Sequence, residues 1–115
     1  MANSLTKNAT VPYELRLTAT LDTNGTLVLD NLASFDSVTL QLSGTWGGGT
    51  VAVQARNDGT NWLALPTAVS ATANALKAIP ADGMGFREYA LVLSGATGAT
   101  LTVTVYAVVR NARRS

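Results

Sequence analysis

The feature that most constrains this chain is a strict alternation of apolar and polar residues in several short runs. Within residues 37–66, the apolar positions of the first two runs are Val38, Leu40, Leu42, Val51, Val53 and Ala55. A period of two places one set of side chains on a core face and the other on solvent or a partner, as in half-buried β-strands. Glycine-rich residues 44–49 separate these runs, and Asn57-Asp58-Gly59 precedes a third run, residues 61–65. The stretch predicts a meander of three strands joined by two tight turns.

Similar runs predict strands over residues 11–21, 26–30, 86–93 and 100–109, with turn residues between them. Residues 67–79 are Ala-rich and lack a helical apolar stripe, so an extended segment over 73–79 is favoured over a short helix. Leu32 and Phe35 are expected to close one end of the core. Seven or eight strands, connected mostly by hairpins, predict an all-β, two-sheet antiparallel β-sandwich.

The length of 115 residues suits one domain. Residues 1–10 are polar and unpatterned and predict a flexible N-terminal arm, residues 11–110 predict the sandwich, and residues 111–115 predict a basic tail. The first residues lack the apolar region of a signal peptide, and no apolar run approaches the length of a membrane span. We therefore expect synthesis in the cytoplasm and no membrane partner.

The composition excludes several kinds of catalysis. The chain has no His and no Cys, which removes Ser-His-Asp and Cys-His arrangements and ordinary zinc sites. Most of its 7 acidic residues fall in predicted turns, where a carboxylate usually binds its own backbone. The net charge of +1 argues against a nucleic-acid partner. We expect no enzymatic activity, no metal and no cofactor.

The run GTWGGGTVAVQARNDGTNWLALP, residues 44–66, resembles a recurring pattern in small virion proteins of tailed bacteriophages. In that pattern GTWxGTV leads to SNDGTNWxxLP, then to an Ala/Thr/Ser-rich strand and a final Thr/Val strand after SGxTGT. The resemblance covers residues 38–109. The NDGTNW motif is also found in discoidin-like carbohydrate-binding sandwiches. The resemblance implies a jelly-roll-like β-sandwich on a phage particle, as a capsid decoration (cement) protein, a head fibre, or a neck or tail component, without catalytic residues.

Two groups of residues are candidates for contacts. Trp46, at the tip of the glycine-rich loop, could stack on a sugar or contact another subunit, whereas Trp62 lies in a short apolar run that favours a structural role. Asp58 belongs to the turn before Trp62 and joins them as a candidate interface or glycan contact. A candidate capsid-contact tail consists of Arg110, Arg113 and Arg114, for which a solvated terminus is the alternative interpretation.

The leading hypothesis from the sequence is a virion-located decoration protein that stabilises the assembled shell. Charged residues make up 13% of the chain, which leaves a neutral Thr- and Ala-rich surface suited to contact with neighbouring subunits. The expected partners are copies of itself, as a homotrimer, and the major capsid or other virion proteins. The alternative hypothesis is a glycan- or receptor-binding module of a head or tail fibre, or a neck or tail component.

Overall fold

The computed structural model describes residues 3–11, 14–29, 32, 35 and 37–108. Ten strands account for most of this part of the chain. They are β1 (Ser4–Val11), β2 (Glu14–Leu21), β3 (Gly25–Leu29), β4 (Ser37–Thr45), β5 (Thr50–Arg56), β6 (Leu63–Ala64), β7 (Ser70–Ala71), β8 (Ala75–Ala78), β9 (Glu88–Ser94) and β10 (Thr100–Val108). A 3₁₀ turn, Ala81–Gly83, precedes β9, and the described residues contain no α-helix.

The strands form two antiparallel sheets that face each other. The first sheet has the order β1-β2-β10-β4-β8, and the second has the order β3-β9-β5-β6, with β7 also pairing with β5. The pairs β2 with β10, β3 with β9, β4 with β8 and β5 with β6 are nested like one long hairpin that has been rolled up. This is a jelly roll, which confirms the predicted two-sheet sandwich.

The core lies between the inner faces of the two sheets. In β2, the residues Leu15, Leu17, Ala19 and Leu21 are at most 1% exposed, and the residues between them are exposed or half-buried. β10 repeats this pattern from Leu101 to Ala107, as the Thr/Val alternation predicts. Leu32 is buried and Phe35 is half-buried against the core, which confirms their expected place at its end.

The connections differ from the sequence prediction. β4 and β5 were expected to form a hairpin, but they belong to different sheets, and residues 46–49 cross from one sheet to the other. Among the described strands, the consecutive strands that pair are β1 with β2 and β5 with β6, so most connections are not hairpins. The alternation of apolar and polar residues indicates which side of a strand faces the core. It does not indicate to which of the two sheets the strand belongs, because both sheets have one inner and one outer face.

Two further expectations concern segments at the sheet edges. Residues 1–10 were expected to be a flexible arm, whereas Ser4–Val11 forms an edge strand on β2 with a register shift between Lys7 and Ala9. A polar edge strand can lack alternation because its backbone hydrogen bonds, rather than a buried face, hold it in place. The extended segment favoured over residues 73–79 is confirmed by β8, which pairs with β4.

Candidate functional site

The two ends of the sandwich differ in charge. The neutral end is formed by the turns at residues 22–24, 46–49, 72–74 and 95–99, and Asp22 is the charged residue in these turns. The charged end lies at the opposite end of the strands and is formed by residues 57–61 and 79–87 with the adjoining ends of β2, β5, β9 and β10. Its charged side chains are Glu14, Arg16, Arg56, Asp58, Asp82, Arg87 and Glu88.

Trp46 lies at the neutral end and is held in place there. Its ring is half-buried against the core, and its indole Nε1–H donates to Asn74 Oδ1 at 2.8 Å. The same Asn74 oxygen accepts the Gly44 N–H at 3.1 Å. The ring therefore presents only part of its surface to a partner.

Asparagine side chains connect the other turns of the neutral end. Asn24 bonds the backbone of Ala96 in both directions, at 2.9 and 3.0 Å. Asn3 Oδ1 accepts the N–H groups of Asp22 and Thr23 at 2.8 and 3.0 Å. These bonds satisfy turn backbone with uncharged groups, and those of Asn24 join the turn before β3 to the turn before β10.

Asp58 lies at the charged end and stabilises its own turn. Its Oδ1 accepts the N–H groups of Thr60 and Asn61, both at 2.9 Å, and its Oδ2 accepts Asn61 Nδ2 at 2.9 Å. These donors lower the pKa of Asp58 from 3.8 to about 2, and the backbone N–H of Asn61 has the largest effect. Three of the roughly four acceptor positions of the carboxylate are thus used within the loop.

Trp62 lies beside Asp58 in the same loop and is half-buried. The guanidinium carbon of Arg56 lies 4.0 Å from the centroid of the Trp62 ring, a cation–π geometry. Arg56 Nε also donates to Glu88 Oε1 at 2.7 Å, across the β5–β9 register. One face of Trp62 is therefore occupied by a guanidinium that a carboxylate holds in place.

A cleft of about 350 Å³ opens next to this loop. Its polar lining comes from Arg56, Asn57, Asp58 and Asn61, and its apolar lining from Ala55, Leu63, Ala64, Leu65, Pro66 and Phe86. Leu63 is 68% exposed, so the rim of the cleft is strongly apolar on one side.

The three candidate contact residues do not form one site. Trp46 precedes β5 and Asp58 and Trp62 follow it, so the seven residues of this strand, about 23 Å long, separate them. Arg110, Arg113 and Arg114 lie outside the described residues. Asn74 and the Arg56–Glu88 pair are functional candidates that sequence reasoning missed, since an asparagine in an Ala-rich stretch carries no signal of a tryptophan partner.

The described residues contain neither a cluster of metal-ligating side chains nor a membrane-spanning helix. No three or more acidic, His or Cys side chains in this part of the chain lie close enough to hold a metal ion. No helix there has the length and apolar character needed to cross a membrane.

The chain is similar to known proteins in its structure and not in its sequence. No protein-family model matches the chain, and no curated protein matches its sequence. The chain is similar in structure to the SPBc2 prophage-derived protein YomS, with a TM-score of 0.57 and 17% identity over 88% of this chain and 99% of that one. It is also similar to the cupin domain of Schizosaccharomyces pombe Cnp3, with a TM-score of 0.53 and 12% identity over 97% and 70% of the two chains.

A third similar structure is a chain of the Bacillus endospore appendages, which form disulfide-linked pili, with a TM-score of 0.51 and 11% identity over 95% and 92% of the two chains. At these identities the likeness shows the fold alone. The protein therefore has the fold of a jelly-roll β-sandwich.

Proposed function

We propose that this protein is a non-enzymatic structural component of a bacteriophage particle, a decoration protein that binds the assembled shell and stabilises it. The observation that carries this proposal is the placement of charge. Among the described side chains, most charged groups collect at one end, whereas Asp22 lies at the other end and Lys77 is half-buried on β8. The outer faces of both sheets present mainly hydroxyl, amide and small apolar groups. Burying such groups against a protein neighbour costs far less than burying charges.

The phage setting is supported by two independent likenesses. The run over residues 44–66 resembles virion proteins of tailed phages. The jelly-roll fold is shared with a prophage-derived protein over 88% of this chain. Jelly rolls are common in viral capsid proteins, although the fold alone does not determine function.

The proposed mechanism is binding alone and involves no catalytic step. A subunit that binds the closed shell, and binds its unassembled subunits less well, stabilises the shell by mass action. Association of copies, as in the homotrimer expected from the sequence, would add avidity because weak contacts are then made together.

The topology constrains how a copy stands on the shell. Ser4 pairs with Thr20 near the neutral end, and Val108 pairs with Glu14 at the charged end. A flat surface can therefore contact only one of these two ends. We assign the shell contact to the charged end, because Val108 lies there and Arg110, Arg113 and Arg114 come after it in the sequence. The neutral sheet faces are then left for contacts with neighbouring copies.

The test compares particles made with and without the gene for this chain. We expect the chain in purified particles in amounts comparable to the major shell protein, measured by quantitative mass spectrometry. Particles that lack it should release their genome at a lower temperature, and adding the purified chain should restore the release temperature. Its absence from particles would contradict the proposal, and a few copies per particle would indicate a neck, tail or fibre component.

A second candidate function, glycan binding by a fibre module, is favoured by the cleft at the charged end. The cleft combines the amides of Asn57 and Asn61 with the apolar surfaces of Leu63, Pro66 and Phe86, a combination typical of small-ligand sites. In the variant Trp46→Phe, Trp62 is the remaining tryptophan and reports on this region. Titration with bacterial polysaccharide should then change its fluorescence, and Asn61→Ala should weaken the change; a flat titration would exclude this function.

A further inference from the structure

We propose that a second copy of this chain covers the outer face of the first sheet. This inference rests on the proposed function for its biological setting, and its physical basis is the surface itself. We define the hydroxyl face by the outward side chains of β2, β10 and β4 between the two ends of the sandwich. They are Thr18, Thr20, Thr39, Gln41, Ser43, Thr45, Thr100, Thr102 and Thr104.

The hydroxyl face is continuous across the strands. Thr104 of the central strand β10 pairs with Thr18 on one side and Gln41 on the other. Thr102 lies in the next row and pairs with Thr20 and Ser43. These rows of short, uncharged side chains lose little conformational entropy and little hydration on contact, compared with the Lys and Glu of an ordinary surface.

Two of the large apolar side chains that are exposed in the described part of the chain border this face. Leu76 on β8 is 78% exposed and pairs with Gln41. Tyr106 on β10 is 40% exposed and pairs with Thr39 and Arg16. A partner that covers the hydroxyl face would also cover both side chains, which supplies an apolar driving force.

Charge and area favour a second copy as the partner. The outward charged residues beside the face are Glu14 and Arg16, which have opposite signs, and Glu14 accepts a hydrogen bond from the Tyr106 hydroxyl. Lys77 of β8 pairs with the buried Leu40 and so belongs to the inner side of the sheet. A second copy brings the same opposite pair, so no net charge is buried. Five strands at a spacing of about 4.8 Å and a length of about 26 Å give roughly 600 Å² per copy. Two copies would bury roughly 1,200 Å², the lower limit for stable specific interfaces.

The experiment measures self-association of the full chain by sedimentation velocity and light scattering over a range of concentrations. Thr104→Glu places a charge at the centre of the hydroxyl face and should raise the dissociation constant about tenfold or more. The matched control is Gln54→Glu, which places the same charge at the centre of β5, on the outer face of the second sheet. The control should leave the dissociation constant within about twofold, as expected for a surface change.

A second measurement uses the absence of Cys from the chain. Thr104→Cys introduces a single thiol, and mild oxidation should trap covalent dimers if two hydroxyl faces meet near their centres. Such a pairing occupies both faces and gives a dimer in place of the homotrimer expected from the sequence. Thr26→Cys, on the outer face of the second sheet, should remain uncross-linked.

A wild-type chain that is monomeric at every concentration would overturn the inference, as would equal weakening of self-association by Thr104→Glu and Gln54→Glu. If the chain is monomeric but abundant on particles, self-association is contradicted and the proposed function stands. If the chain self-associates but is absent from particles, the proposed function is contradicted and self-association stands.

Discussion

At the scale of single residues, Tyr89 links the core to the loop that precedes β9. Its ring is fully buried, its hydroxyl donates to the Gly83 carbonyl at 2.8 Å, and it accepts the Phe86 N–H at 3.1 Å. Burial raises the pKa of this hydroxyl, so it stays protonated and able to donate. The Phe86 ring packs edge-on against Tyr89 with centroids 6.4 Å apart.

Tyr89→Phe removes the hydroxyl, so the part-buried Phe86 N–H loses its acceptor and the buried Gly83 carbonyl loses this donor. The free energy of unfolding should fall by about 1–3 kcal/mol. Tyr106→Phe is the matched control, because its hydroxyl bonds Glu14 at the surface and should matter little. Urea denaturation measures both variants, and equal losses of stability would show that Tyr89 has no special role.

Asp58 provides a prediction about pH. Its pKa in the folded chain is about 2, below the ordinary value of 3.8, so the folded state favours the carboxylate. The stability that this provides is complete above the ordinary pKa and is lost as the pH falls through the folded value. The Asp58 carboxyl should titrate near pH 2 in NMR spectra, and Asp58→Asn should make the stability depend less on pH in this window.

Asn61→Ala is the control for this prediction. It removes the side-chain donor and keeps the two backbone donors, so the pKa should return only part of the way to 3.8. A wild-type carboxyl that titrates near 3.8 would contradict the assigned hydrogen bonds.

These two residues also show how far sequence reasoning reaches. The turn at Asp58 was predictable, because Asn-Asp-Gly is a local signal in which side chain and backbone are close in sequence. Tyr89 was predictable as a residue on the same face as Leu91 and Leu93, but the partners of its hydroxyl were not. They depend on how a loop folds back onto the core, which no local pattern records.

At the scale of elements, the crossing between β4 and β5 depends on backbone contact. Gly47 has φ 58°, and its carbonyl accepts the Thr97 N–H at 2.9 Å, which joins this turn to the turn before β10. A Cβ at Gly47 would lie 2.2 Å from the Thr97 carbonyl oxygen. A Cβ at Gly48, where φ is 78°, would have no atom within 4 Å.

Gly48→Ala should therefore cost only the left-handed backbone penalty, about 1–2 kcal/mol. Gly47→Ala should cost clearly more, because the Thr97 backbone would also have to move. Urea or thermal unfolding of the two variants gives the comparison, and equal losses would mean that the two turns are not in contact.

The same crossing explains why sequence reasoning missed the pairing of β4. Gly47, Gly48 and Gly49 were correctly assigned to a turn, whereas Gly44 lies within β4. Glycines in a turn allow a hairpin and a crossing between sheets equally. The true partners of β4 are β10 and β8. The β4–β10 pairing brings together residues far apart in sequence, and only the requirement to close two sheets over one core selects it.

At the scale of the whole molecule, β1 tests how much of the chain the domain needs. β1 pairs with β2 at the edge of the first sheet, and Leu5 is half-buried against the core. Removal of residues 1–10 should leave a folded sandwich whose free energy of unfolding is lower by about 1–2 kcal/mol, the value of a partly buried leucine. The truncation also narrows the first sheet from five strands to four. If β1 contributes to self-association, light scattering should show fewer copies per assembly for the truncated chain.

Circular dichroism and urea denaturation check this prediction. A truncated chain with the spectrum of a random coil would contradict it and would make β1 an essential strand. An unchanged stability would mean that Ser4–Val11 adds nothing to the isolated domain.

The rolled-up pairing of the strands also has a kinetic consequence. The central ladder of the first sheet joins Glu14 to Val108, so strands from near the beginning and the end of the described chain must meet before that sheet exists. A fold of such high contact order forms slowly, in milliseconds to seconds, because loop closure is costly before it brings stable contacts. A nascent chain cannot complete its first sheet on the ribosome until β10 has emerged, so this sheet forms only after all the strands from β2 to β10 have been made.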